Sequence, residues 1–154
     1  VSDTVGTSVC DVGCGTGYLL TKVLAARPGI AKAFGVDFVF TNSNSPPGVA
    51  FVAAKIEALP FRDSEFDTVI CTHVIEHILD FRSAIAELRR ITLKRLIIVV
   101  PREREAIYSF NPHFNHFPYT HSFLRAMIPV PANFVAIDVG RDIYYCEDKL
   151  IPIP

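Results

Sequence analysis

Short runs of β-branched and other apolar residues alternate along this chain with stretches whose apolar residues recur every three to four positions. That alternation predicts a parallel sheet with crossover helices. Ser8–Val12 reads as the first strand, and a helix runs from Gly17 or Tyr18 to about Ala26, stopped by Arg27-Pro28-Gly29. Residues 33–37 and 49–53 read as strands two and three. Between them, Thr41-Asn-Ser-Asn-Ser-Pro-Pro-Gly48 is too dense in turn formers for the helix a βαβ unit carries there, so a loop is expected. Residues 67–72 form a fourth, buried strand. Over 81–91, Ile85, Leu88 and Ile91 share one helix face, with Arg82, Glu87, Arg89 and Arg90 mostly outside. Residues 95–100 make strand five. Pro101-Arg-Glu-Arg-Glu105 reads as a solvated charge run, and 108–124 as an aromatic, His-rich segment whose second half becomes a short helix. The tail alternates around Gly140-Arg141 as an antiparallel hairpin. The expected fold is α/β: a doubly wound, Rossmann-like, mostly parallel seven-stranded sheet ending in an antiparallel hairpin, with a reduced set of helices, all in one domain over residues 1–154.

Composition narrows the partners. With 154 residues, 50% hydrophobic and 20% charged, the chain is long enough for a real core. A formal net charge of -1 supplies no global field toward nucleic acid or acidic membranes, so nucleic acid is not an expected partner. Cys10, Cys14, Cys71 and Cys146 lack paired short spacings and read as reduced, buried residues. No run approaches the roughly 18 apolar residues of a membrane helix, and no signal-peptide pattern opens the chain, so a cytoplasmic protein without membrane contact is expected. The chain begins at Val1 and the glycine loop follows at once, which reads as an N-terminally trimmed domain with no room for a helix before the first strand.

That loop carries the first chemistry. In "VCDVGCGTGYLL", glycines at 13, 15 and 17 sit between a strand and a helix, where backbone can approach a ligand. The spacing differs from the dinucleotide fingerprint G-x-G-x-x-G, which argues against a nicotinamide-dependent oxidoreductase. Asp11 at the mouth would repel a pyrophosphate and suits a cationic, zwitterionic ligand with a sulfonium centre. Asp37 ends strand two, twenty residues beyond Gly17, the place from which a carboxylate accepts ribose hydroxyls, and Phe38 follows it.

The run D-V-G-C-G-T-G, then G-V-D, then E-A-L-P-F-x-D-x-x-F-D-x-V-I-C-x-H-V-I-E-H-I resembles the class I S-adenosylmethionine-dependent methyltransferases, especially the branch that includes quinone-biosynthesis methyltransferases. The resemblance covers residues 8–100, with three motifs in order; the last third matches only in outline. It implies that Asp11 and the backbone of Gly13, Cys14, Gly15 and Gly17 hold the methionine part of S-adenosylmethionine. Asp37 then takes the ribose hydroxyls, Phe38 the adenine face and the Ile56 backbone the adenine edge, while Thr72 and His73 border the methyl acceptor. Such transfer is an in-line displacement, and positioning alone supplies about 7 to 11 kcal/mol of its barrier, with a base where the acceptor must lose a proton. The implied substrate is a small-molecule methyl acceptor of unidentified chemistry.

Two departures from the family pattern carry consequences. Lys55 stands where relatives often have Asp, and it cannot accept a hydrogen bond from the adenine amino group, which leaves a cofactor-binding scaffold without transfer activity as a rival reading. The absent helices would leave an apolar sheet face for other residues or for a second copy, so a homodimer is one expectation.

His73, Glu76 and His77 have i, i+3, i+4 spacing, and His113, His116 and His121 follow strand five. Both segments belong at the carboxyl edge of the sheet, where ligands bind. His73, His77 and His116 are the expected catalytic set, as base or substrate contacts, and no metal is assigned. A similar E-V-I-E-H stretch with a later His occurs in the metal-assisted plant-type small-RNA 2′-O-methyltransferases, but His73 replaces its first Glu here. The plainer alternative is that Glu76 and His77 cap a turn. Phe110, Phe114, Phe117 and Tyr119 are expected to wall an acceptor pocket, and one of Tyr144 and Tyr145 is expected in the core.

Overall fold

The structure is a computed structural model that describes residues 2–39, 47–105 and 112–149. Its strands are β1 (Ser8–Val12), β2 (Lys32–Asp37), β3 (Ala50–Ala53), β4 (Phe66–Thr72), β5 (Thr92–Pro101), β6 (Phe134–Val139) and β7 (Asp142–Asp148). They form one sheet in the order β3-β2-β1-β4-β5-β7-β6. The first five pair in parallel and β7 pairs antiparallel with both β5 and β6. The strand order reverses beside β1, which places a crevice above the carboxyl ends of β1 and β4. The α/β expectation is met, hairpin included. Residues 40–46, which hold most of the expected loop between β2 and β3, lie outside the described residues, as does Phe110.

Helices are α1 (Tyr18–Ala26), α2 (Phe81–Ile91) and α3 (Thr120–Ala126). Asp80 caps α2 by accepting from the Ser83 N–H at 3.2 Å and hydroxyl at 2.6 Å, and Arg89 and Arg90 sit in its last turn, where the helix dipole favours cations. Ala84, Ile85, Leu88 and Ile91 bury its apolar face. Each of the larger three contributes roughly 1.5–3 kcal/mol. The outer face departs from expectation. Arg89 donates from Nε and Nη2 to both oxygens of buried Glu147, at 2.8 and 2.7 Å, and Arg90 donates to the carbonyls of Leu59 and Phe61. These guanidiniums tie β7 and the segment before β4 to the helix. Periodicity shows which face points outward but not what lies there.

The charge run after β5 is likewise engaged rather than merely solvated. Arg102 pairs with Asp138 on β6 at 2.8 Å, Arg104 donates to the Tyr119 hydroxyl at 2.8 Å, and Glu103 pairs with His113. The larger core lies on the α2 and α3 side of the sheet, around Phe66, Phe123 and Tyr145; Tyr144 takes the opposite face, as alternation requires. The smaller core joins Leu20 and Val23 of α1 to Val9, Ala33 and Ile70. All four cysteines are buried and free. Beyond the reach of α1, register aligns Ile97, Cys146 and Val135, then Val99, Tyr144 and Ile137, on one face. Val135, Ile137 and Val139 of that end of the sheet are about half exposed. No helix among the described residues is long and apolar enough to cross a membrane.

Candidate functional site

The glycine loop leaves β1 and is stitched to β2 by its own backbone. Gly13 and Cys14 donate to the Val36 carbonyl at 2.7 and 3.0 Å, Gly15 donates to Asp37 Oδ2 at 2.8 Å, and Gly17 donates to the Cys14 carbonyl at 2.8 Å. These N–H groups are therefore engaged internally, and the loop is not built as an anion cradle. Gly13 is required twice over: its φ is 81°, and a Cβ there would sit 2.0 Å from Val74 Cγ2. That contact joins the loop to the segment after β4.

Between the two lies a cleft of about 400 Å³, lined by Gly13, Asp37, Phe38, Lys55, Ile56, His73 and His77, among others. The sequence-derived residues Gly13, Asp37, Phe38, Ile56, His73 and His77 thus share one cavity of ligand size. Asp37 also accepts from Val39 N–H at 3.2 Å, so each of its oxygens already holds one backbone donor, with lone pairs to spare. Phe38 is exposed, and the Lys55 ammonium lies 5.9 Å from its ring centre.

The structure does not place Asp11, Cys14, Gly15, Gly17, Thr72 or His116 among the residues described as lining this cleft. Asp11 is 1% exposed and lies beneath the loop, with Oδ1 lacking a hydrogen-bond partner among the described residues. Burial first, and then the charge of Asp37, push its carboxyl up to about 7. Thr72 closes β4. Phe117 is buried in the core, while Phe114 and Tyr119 are exposed, so these aromatics do not wall the cleft as expected.

The histidine end starts where β4 stops. His73 takes a left-handed φ of 54°, uncommon outside glycine, and its N–H donates to the Val99 carbonyl at 2.9 Å. A 3₁₀ turn over Ile75–His77 follows. The Glu76 carbonyl accepts the N–H groups of Phe114 and Asn115 at 2.7 and 3.1 Å, and Asn115 Nδ2 donates to the carbonyls of Ile75 and Ile78. Two segments distant in sequence are thereby locked together. His73 Nδ1 lies 3.6 Å from Glu76 Oε1, and His73 Nε2 lies 3.7 Å from Asp142 Oδ2. Rings of His77 and His113 meet edge to face at 4.6 Å. His116 sits farther off, 4.0 Å from Glu103, and His121 stacks on Tyr119 instead. Glu76 is 1% exposed, with Oε2 lacking a hydrogen-bond partner among the described residues; burial raises its carboxyl while the histidines His73, His77 and His113 oppose that rise. Glu103, Asn115 and Asp142 were missed from sequence because only the folded sheet edge brings them here.

Comparison with known proteins fits this geometry. A family described as "Methyltransferase domain" matches residues 10–99, more than half of the chain. A tRNA U34 carboxymethyltransferase of Campylobacter curvus is 34% identical over 90 residues, covering 54% of this chain and 30% of that protein. A demethylmenaquinone methyltransferase of Renibacterium salmoninarum is 29% identical over 145 residues, covering 92% and 58%. The chain therefore spans less than two thirds of the length of these relatives. The crystal structure of a SAM dependent methyltransferase from Aquifex aeolicus superposes with a TM-score of 0.68 at 16% identity, covering 92% of this chain and 81% of that one. With the motif order, the reversed strand order and the family match in agreement, this chain belongs to the methyltransferase domain family and carries the Rossmann-like fold of its S-adenosylmethionine-dependent members.

Proposed function

We propose that residues 1–154 act as one domain that binds S-adenosylmethionine in the 400 Å³ cleft and passes its methyl group to a small-molecule acceptor held at the histidine end. The observation that carries this reading is the sharing of one cavity by Asp37, Phe38 and Ile56 at one end and His73 and His77 at the other. The cavity fits the cofactor in chemistry as well as size: a carboxylate for hydroxyls, a ring for a base and a bare Gly13 backbone for close approach. When bound, the cofactor supplies an electrophilic methyl on a sulfonium centre. Asp37 binds ribose hydroxyls with its remaining lone pairs and holds the loop through Gly15. Asp11 works from beneath, where a cationic ligand end favours its ionised form and a phosphate would oppose it. His73, exposed on the cleft and oriented by Glu76 and Asp142, accepts the acceptor's proton. His116 supports this set from outside the cleft through Glu103.

A net charge of -1 favours a small molecule over RNA as the acceptor, although a tRNA-modifying enzyme stands among the relatives. Buried free thiols suit a reducing compartment, the cytoplasm. The half-exposed Val135, Ile137 and Val139, on a sheet face that no described helix covers, suit a homodimer.

Calorimetric titration with S-adenosylhomocysteine tests the proposal. Saturable 1:1 binding is expected, and Asp37→Ala should weaken it by about 1 to 3 kcal/mol, the loss from unpaired polar partners. Absence of binding to the wild-type chain would overturn the reading.

A further inference from the structure

We infer that Glu76, His77 and His113 form a site for one divalent first-row transition cation at the acceptor end of the cleft. Each offers a ligand atom, and the three atoms lie within 4.8 Å of one another. Metal bonds of about 2.0–2.2 Å place the ligands of a tetrahedral ion roughly 3.3–3.6 Å apart.

Three further observations separate this cluster from a chance gathering of polar groups. The Glu76 side chain is almost wholly buried, yet Oε2 has no hydrogen-bond partner among the described residues, a costly state that a cation relieves. Both imidazoles are anchored through Nδ1 to groups that can only accept: His77 to the Pro112 carbonyl at 3.4 Å, His113 to the Glu103 carboxylate. Assigned from those acceptors, the proton sits on Nδ1 and the lone pair on Nε2, the arrangement in which carboxylates and carbonyls orient metal-binding histidines. Finally, the Glu76 carbonyl grips the N–H groups of Phe114 and Asn115, so the ligand-bearing segments are fixed relative to each other before any ion arrives.

The donor set selects the ion. Two imidazoles and one carboxylate suit Zn²⁺, Fe²⁺, Mn²⁺ or Co²⁺ in an open site, whereas Mg²⁺ and Ca²⁺ favour oxygen ligands. His77 is exposed on the cleft, which leaves coordination positions for an acceptor oxygen. That last role rests on the methyl-transfer reading; the ion site itself does not.

The test reads metal directly. Cobalt(II) is titrated into the intact chain while its visible d–d absorption is followed, with zinc(II) calorimetry alongside. One saturable equivalent with nitrogen and oxygen ligation is expected. His77→Ala and His113→Ala should each weaken binding at least ~10-fold, and Glu103→Gln, which only orients His113, by ~10- to 100-fold. His121→Ala, stacked on Tyr119 outside the cluster, should bind as the wild type does. Exposed His77 makes its variant the safest to fold, and circular dichroism checks each one. No saturable binding, binding that survives in both histidine variants, or thiolate-to-cobalt charge-transfer absorption would overturn the site. S-adenosylhomocysteine titrated into the same samples separates loss of the ion from loss of the cofactor reading.

Discussion

Two buried carboxylates, one near each end of the cleft, each carry an oxygen without a hydrogen-bond partner among the described residues: Asp11 beneath the glycine loop and Glu76 beneath the histidines. Their surroundings differ in sign. Asp11 faces the charge of Asp37, which adds to burial in disfavouring ionisation, whereas Glu76 faces His73, His77 and His113, which oppose it. An orphaned carboxylate among acids holds a proton near neutrality and gains from any cation that comes close. One among imidazoles is already part of a donor set. The same residue chemistry therefore prepares one end for a charged ligand group and the other for an ion shared with its neighbours.

The largest expected effect breaks that contrast at Asp11. Its folded pKa is raised from the ordinary 3.8 to about 7, so the folded chain binds the proton more tightly than the unfolded chain does. This group's stabilising contribution is therefore present below pH 3.8 and is lost as pH rises through about 7, where the buried charge costs on the order of 4 kcal/mol. Asp11→Asn cannot ionise. Urea unfolding at pH 5 and pH 8 should show a smaller loss of stability between the two than in the wild type. An equal loss in both would show that Asp11 does not titrate in this range.

Next comes the contact that holds the two ends together. Gly13→Ala drives a Cβ to within 2.0 Å of Val74 Cγ2 and forces a left-handed φ on alanine. Overpacking and backbone strain together should cost about 2 to 5 kcal/mol in denaturant unfolding. Gly15→Ala shares a positive φ but its Cβ meets no atom of the described residues within 4 Å, so only about 1 to 2 kcal/mol is expected. Equal costs for the two would mean that Val74 yields freely and that the ends are not coupled through Gly13.

Legibility in the sequence follows the range of the physics. The strand and helix bounds of β1, α1 and α2 were readable because periodicity and stop signals are local. So was the glycine loop with Asp37, which one strand–helix–strand unit sets by itself. The partners of charged residues were not readable. Arg89 finds Glu147 and Glu103 finds His113 only through the pairing of β5 with β7 and the docking of 112–116 on the 3₁₀ turn. For the same reason His116 was placed on the cleft by sequence but stands behind Glu103 in the fold, and Phe117, read as a pocket wall, fills the core.

The smallest effect separates Glu76 from Asp11 most finely. Without metal, Glu76→Gln replaces a carboxyl whose ionisation burial disfavours and three histidines partly restore with a neutral amide of equal shape, so stability should change by no more than about 1 kcal/mol. Metal should distinguish the two proteins far more than the substitution does. Zinc(II) at 100 times its dissociation constant adds about 2.7 kcal/mol to a chain that binds it only when folded. Thermal unfolding with and without zinc should show that gain in the wild type and its loss in Glu76→Gln. Asp11→Asn, whose carboxylate is not in the donor set, should keep the full zinc response. If instead Asp11→Asn lost it and Glu76→Gln did not, the ion would belong to the glycine-loop end, and the contrast between the two carboxylates would be reversed.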